Sequence, residues 1–106
     1  MDVLQGTLDL LILNVLAAGP AHGWSIAQRI AERSEEALRL NQGSLYPALH
    51  KLEDGGLIDG TWTIAEDTRR RIKEYRLTRA GRRVLERQRA QWRAYVRAID
   101  LVLEGG

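Results

Sequence analysis

One proline sets the frame for the stretch Asn41–Gly56. Leu45, Leu49 and Leu52 stand at i, i+4 and i+7, the spacing of one buried helix face. Pro47 falls inside that stripe. Proline has no N–H to give and its ring presses on the preceding turn. It is therefore tolerated in a first turn and costs about 3 kcal/mol or more further in. The helix is predicted to begin near Gly43 or Ser44, with Ser44 as its N-cap. Gly55-Gly56 ends it, because glycine takes the left-handed C-terminal position without a Cβ clash. The opposite face carries Ser44, Tyr46, Pro47, His50 and Lys51. A short helix with small, aromatic and hydrogen-bonding groups on its free side is built to be read by a partner.

The rest of the chain is organised to present that helix. Met1 to Ala18 reads as a first helix, with Leu4, Leu8, Leu11, Ile12, Val15 and Leu16 in one stripe. Leu10 and Leu13 widen the stripe until the helix is apolar nearly all round, so it calls for cover on both sides. Its own core supplies one side, and a second copy of the chain supplies the other unless the helix is central to a monomer. Gly19-Pro20 stops it. A second helix is predicted from Gly23 to Ser34, with Trp24, Ala27, Ile30 and Ala31 on its buried face. In the linker from Glu35 to Gln42, Leu38 and Leu40 alternate with Arg39 and Asn41, the pattern of a very short strand.

After Gly55-Gly56 the period changes. Leu57 to Ala65 and Arg71 to Leu77 are rich in β-branched and aromatic residues and read as two strands, joined by the polar segment Glu66–Arg70. Two strands alone are marginal in water, so this hairpin must lean on the helices. Thr78 is a good N-cap for a last helix running to Leu103. Leu85, Trp92 and Ile99 repeat every seven residues along it, as do Gln88, Tyr95 and Val102, which makes a coiled-coil-like seam.

Charge is distributed unevenly. Residues 1–68 carry four basic side chains against ten acidic ones, whereas residues 69–97 carry twelve basic ones against Glu74 and Glu86. Such a concentration of positive charge fits a polyanionic partner. On the last helix it also fits an ordinary solvated face, but Arg69-Arg70-Arg71-Ile72-Lys73 precedes that helix. The chain has no cysteine, so disulfides, thiolate metal sites and cysteine nucleophiles are excluded. His22 and His50 have no metal-ligand spacing, no glycine-rich phosphate loop is present, and no nucleophile–base pair has a recognisable motif around it. The chain is not expected to be an enzyme, and no cofactor is expected. The apolar run Leu8–Leu16 is too short to span a bilayer and lacks a signal peptide's flanks, which points to a soluble, cytoplasmic protein without a membrane partner.

Three helices, a hairpin and a long helix in that order describe a mainly α (α+β) fold. It is a winged helix-turn-helix over residues 1–78, with a two-stranded wing, and a long C-terminal dimerisation helix over residues 79–106, the two forming one unit. The third helix would enter a major groove of double-stranded DNA, and Arg69, Arg70, Arg71 and Lys73 of the wing would meet phosphates or a minor groove.

The same residues resemble a known family. Gly6-Thr7-Leu8-Asp9-Leu10-Leu11-Ile12-Leu13, Gly19-Pro20 with His22-Gly23, Gly43-Ser44-Leu45-Tyr46-Pro47-Ala48-Leu49, Leu52-Glu53, and Tyr75-Arg76-Leu77-Thr78 with Ala80-Gly81 look like the PadR family of bacterial transcriptional regulators. The resemblance runs from about Leu4 to Leu103 and is to the short branch with a single C-terminal helix. It implies a homodimer packed through the first and last helices, bound to an operator with dyad symmetry, and usually a repressor. It also implies a response to small, frequently aromatic effectors near the dimer interface. The chain departs from the family pattern at Trp24, where tyrosine is common, and at Glu66 and Asp67 on the wing.

The candidate DNA-binding residues are therefore Ser44, Tyr46, Pro47, His50, Lys51, Arg69, Arg70, Arg71 and Lys73. Tyr46 has two readings, a phosphate or sugar contact and a ring packed on the neighbouring helix. His50 is either a groove contact or an unpartnered surface histidine. Leu8, Leu11, Leu85, Gln88, Trp92, Tyr95 and Ile99 form either the dimer seam or the wall of an effector pocket. The rival to a DNA-binding regulator is a winged-helix module that binds an acidic protein instead.

Overall fold

The computed structural model describes residues 6–105. The chain runs α1 (Leu8–Ala17), β1 (Ala21–His22), α2 (Gly23–Arg33), α3 (Gln42–Asp54), β2 (Ile58–Ile64), β3 (Arg71–Leu77) and α4 (Arg79–Glu104). The expected start of the first helix at Met1, and Leu4 in its stripe, lie outside the described residues. Within them α1 begins at Leu8. Ile12, Leu13, Val15 and Leu16 are buried, and Leu8, Leu10 and Leu11 are partly buried against the same core.

The core lies where α1, α2 and α3 meet one face of the sheet. Ile26 and Ile30 of α2, Leu45, Leu49 and Leu52 of α3, Ile58 of β2 and Tyr75 of β3 close around α1. Leu85 of α4 completes it and is fully buried. The expected seam along the last helix therefore loses its first member. Leu85 serves the chain's own core, and the exposed apolar face begins one heptad later at Trp92.

The sheet has a third strand that the sequence pattern does not announce. β1 pairs antiparallel with β3, Ala21 opposite Tyr75 and His22 opposite Glu74, so the strand order is β1-β3-β2. Two residues cannot show an alternation, and only the pairing partner defines them as a strand. The hairpin β2–β3 keeps one register throughout, from Ile58 opposite Leu77 to Ile64 opposite Arg71. β1 hydrogen-bonds the root of that hairpin to the segment leading into α2.

Two further local expectations are corrected. The linker after α2 forms no strand. Ser34 caps the helix end, its Oγ accepting from the Leu38 N–H at 2.9 Å, while Glu35 and Glu36 take left-handed φ of 52° and 67°. This turns the chain so that Leu38 and Leu40 both pack on the core instead of alternating along an edge. The cap of α3 is Asn41, not Ser44. Asn41 Oδ1 accepts from the Ser44 N–H at 2.8 Å and starts the helix earlier than expected. Pro47 thus lies in the second turn, where it offers no N–H toward Gly43.

Thr78 locks the start of α4 to the end of α3. Its Oγ1 accepts from the Gly81 N–H at 3.0 Å as an N-cap and donates to the Gly56 carbonyl at 2.7 Å. Its own N–H donates to the Leu57 carbonyl at 3.1 Å. Further along, Arg89 donates through Nε to Asn14 Oδ1 of α1 at 3.1 Å and through a second nitrogen to the same oxygen, and also meets Glu86 Oε1 at 3.1 Å. Beyond Tyr95 the helix leaves the body. Its 26 residues span about 39 Å at 1.5 Å each, and the described chain measures 57 × 29 × 22 Å.

Candidate nucleic-acid interface

The outer face of α3 is free. Leu45, Leu49 and Leu52 are buried, while Ser44, Tyr46, Pro47, His50 and Lys51 are exposed on the opposite side. Two of these have intramolecular engagements. Lys51 Nζ lies 3.2 Å from Asp9 Oδ2 on α1, with the lysine side chain largely in solvent. Tyr46 lays its ring over Gly23 at the start of α2. A Cβ on that glycine would come within 3.0 Å of Tyr46 Cε1 and Oη. Both readings of Tyr46 thus have a physical basis in one conformation, with one ring edge packed and the side chain still 39% exposed.

The wing rises beside this face. Its loop is closed by the Ala65 N–H donating to the Arg70 carbonyl at 2.8 Å and the Arg69 N–H donating to the Ala65 carbonyl at 2.8 Å. Arg69 takes a left-handed φ of 59°, and Asp67 accepts from the Thr68 N–H, so that acid is turned into its own loop. Arg69, Arg70 and Arg71 are exposed. Arg71 lies over the Trp62 ring, its Cζ 4.9 Å from the centroid. That contact follows from the register: Trp62 stands opposite Lys73, and Arg71 is the diagonal neighbour on the same face.

Between wing and helix lies an open cleft of about 790 Å³, with Trp24, Tyr46, His50, Trp62, Arg70 and Arg71 among its walls. The fold thus brings Tyr46, His50, Arg70, Arg71 and Lys73 of the expected set together. Ser44, Pro47, Lys51 and Arg69 lie outside the cleft. The sequence marks neither Trp24 nor Trp62 as a site residue, and Trp24, expected on the buried face of α2, instead points out while Ile26 and Ile30 fill the core. Both are more than half exposed, at 61% and 57%. Trp62 was legible only as a strand residue, because its neighbours depend on the hairpin register.

Lys73 differs from the arginines beside it. Its Nζ is 2.7 Å from Glu53 Oε1 of α3, and both side chains are largely covered. The hydrogen bond from Lys73 holds the Glu53 carboxyl below its usual range, and the same bond raises the Lys73 ammonium. Burial raises the Tyr75 phenol nearby.

On the far side of the molecule, Trp92 and Tyr95 pack ring against ring at 6.0 Å. They border a recess of about 250 Å³ with Leu10, Gln88 and Gln91. Gln88 Oε1 is buried and has no hydrogen-bond partner among the described residues. Beyond it Val96, Ile99, Leu101, Val102 and Leu103 are exposed. Among the described residues no helix is long and apolar enough to cross a membrane, and no cluster of His, Asp or Glu is arranged to hold a metal ion.

A three-helix core, a strand-tethered hairpin at the flank of the third helix and a long terminal helix define a winged helix-turn-helix protein. The sequence profile of the transcriptional regulator PadR-like family matches residues 12–87. Transcriptional regulator Rv3488 of Mycobacterium tuberculosis is 35% identical over 85 residues, which cover 80% of this chain and 75% of that protein. The crystal structure of a PadR family transcription regulator from Clostridium difficile R20291 superposes with a TM-score of 0.80 at 32% identity, covering 92% of this chain and 99% of that one. A PadR family transcriptional regulator from Eggerthella lenta superposes at 0.81 with 30% identity, covering 96% and 86%. The chain belongs to the PadR-like family of transcriptional regulators, and it is a regulator rather than an enzyme.

Proposed function

We propose that this regulator is a sequence-specific DNA-binding repressor that acts in the cytoplasm as a homodimer on an operator with dyad symmetry. The observation that carries the reading is the shared cleft: Tyr46 and His50 of α3 and Arg70 and Arg71 of the wing open onto one concave surface. In this reading residues 1–78 bind DNA and residues 79–106 dimerise. Ser44, Tyr46, Pro47, His50 and Lys51 choose the sequence in the major groove, and Arg69, Arg70 and Arg71 neutralise phosphates. The affinity then rests on the wing, because α3 offers Lys51 as its one fixed cation and that lysine already faces Asp9.

The dimer reading rests on α4. Trp92, Val96, Ile99 and Leu103 share one helix face and stay exposed in the single chain, an apolar stripe of the kind that marks a protein–protein contact. A second α4, with Leu8 and Leu11 of α1 alongside, would cover it. A flat aromatic effector at Trp92, within hydrogen-bond reach of Gln88, would release DNA if it favours one spacing of the two recognition helices over another.

The test is a salt titration on duplex DNA. Affinity should fall by about 0.9 log unit per log unit of salt for each phosphate neutralised. Absence of binding at low salt would sink the DNA reading and leave the winged-helix protein-interaction module in its place. A solution mass equal to one chain at working concentration would sink the dimer.

A further inference from the structure

Lys73 lies in the basic wing but is turned inward, and its surroundings form a continuous line from α3 to the wing arginines. Glu53, in the last turn of α3, accepts from Lys73 Nζ of β3 at 2.7 Å and from the Gly60 N–H of β2 at 3.2 Å. One carboxylate thus holds both strands of the hairpin. Gly60 is shaped for it: a Cβ there would lie 2.3 Å from Lys73 Cε and 3.0 Å from Glu53 Oε2. The Lys73 ammonium also lies 5.8 Å from the Trp62 ring centroid and 5.5 Å from that of Tyr75. Trp62 in turn carries Arg71 on its face.

We propose that Glu53 and Lys73 are positioning residues that set the angle of the wing against the recognition helix, with Trp62 carrying that constraint outward to Arg71. Lys73 is then not a phosphate contact, although it belongs to the basic run. A two-stranded hairpin is marginal by itself, so its aim depends on what it is tied to. β1 ties the root at Tyr75 and Glu74. Glu53 ties it on the α3 side, at Gly60, which stands opposite Tyr75, and at Lys73, one residue nearer the loop that bears the arginines. Without that second tie the arginines would sample several directions, and the ordering would have to come from binding itself.

The proposal rests on the DNA-binding reading, and the two fail separately. The probe is a random-sequence duplex, with the full-length protein, across a range of salt. Glu53→Gln removes a negative charge and releases Lys73. If Lys73 were a phosphate contact, this variant would bind more tightly, and Lys73→Met would lower the salt slope by the share of one phosphate. If the pair positions the wing, Glu53→Gln binds severalfold more weakly despite its added positive charge, and its salt slope shrinks as the arginines disengage. Adding Glu53→Gln to the Arg70→Ala/Arg71→Ala variant should then cost little more, because the groups it aims are already gone. The exchange Glu53→Lys with Lys73→Glu, which keeps the net charge, should recover part of the loss. Thermal melts run beside the titrations establish that each variant is folded. Should Glu53→Gln fail to fold, the exchange variant and Lys73→Met decide. Tighter binding by Glu53→Gln, or effects of Glu53→Gln and the arginine changes that simply add, would overturn the clamp. A parent protein that does not bind the duplex at all would overturn the DNA reading instead.

Discussion

Gly81→Ala is a substitution whose sign distinguishes local from tertiary control. Gly81 occupies the first turn of α4, three residues after the Thr78 cap. In an isolated helix, alanine in place of glycine is favourable by about 1 kcal/mol. Here a Cβ on Gly81 would lie 2.0 Å from the Leu57 carbonyl oxygen and 2.7 Å from Leu77 Cδ1. The oxygen belongs to backbone that is pinned from the other side, since it accepts the Thr78 N–H. Relief needs a displacement of about 1 Å in a close-packed region. Overpacking of that kind costs about 1–3 kcal/mol. The same movement strains the two hydrogen bonds that Thr78 gives to Leu57 and Gly56, each worth about 0.5–1.5 kcal/mol. Set against the helix-propensity gain, the net is a loss of about 2 kcal/mol. For a domain of this size that lowers the melting temperature by roughly 8–16 °C. Thermal unfolding followed by far-UV circular dichroism measures it, with Arg82→Ala, exposed on the same turn, as a control near zero. An unchanged or higher melting temperature for Gly81→Ala would refute the packing argument.

Other perturbations follow from the same geometry. Thr78→Ala removes the cap of α4 and the bond to Gly56 together, and should cost about 1–2 kcal/mol in urea unfolding. Glu53 has a lowered folded pKa, so its contribution to stability is complete above its unfolded value near ~4.3 and is lost as pH falls through the folded value. Urea midpoints measured down to pH 3 should fall less steeply for Glu53→Gln than for the parent. Lys73 has a raised folded pKa, so its contribution persists below its unfolded value near ~10.4 and is lost as pH rises through the folded value, leaving the pair intact at neutral pH. Trp92→Asp places a charge in the exposed apolar face of α4 and should shift sedimentation from two chains to one while the melting curve of the core remains cooperative. Gly23→Ala would push on the Tyr46 ring, and should weaken DNA binding more than it weakens the fold, as read by titration beside a melt.

Particular residues show how far the chain alone could be read. The heptad of Leu85, Trp92 and Ile99 is real periodicity, yet periodicity does not say where the body of the domain ends. Leu85 fell inside it and Trp92 outside, because α4 leaves the core only after Arg89 has bonded to Asn14. Ser44 and Asn41 are both good N-caps by residue type. The choice fell to Asn41 because its carboxamide reaches the Ser44 N–H, a matter of backbone direction at the helix entry. Leu38 and Leu40 were correctly apolar and wrongly extended, since two left-handed glutamates change which way they point. Arg71 and Lys73 looked alike in the basic run. Only the approach of α3 separates the arginine over Trp62 from the lysine held by Glu53.

Local chemistry and period determined the helices, the hairpin, its end at Thr78 and the exposed face of α3, because each of these depends on neighbours within one or two turns. The same information placed twelve cations after residue 68. The tertiary structure decided what long-range pairing controls: the short β1 strand against β3, the limit of the core along α4, the cleft between wing and recognition helix, and the pairing of Lys73 with Glu53. Those outcomes depend on which groups meet across about 20 to 75 residues of sequence, as Lys73 meets Glu53 and Arg89 meets Asn14. Side-chain spacing along one element carries no record of such meetings.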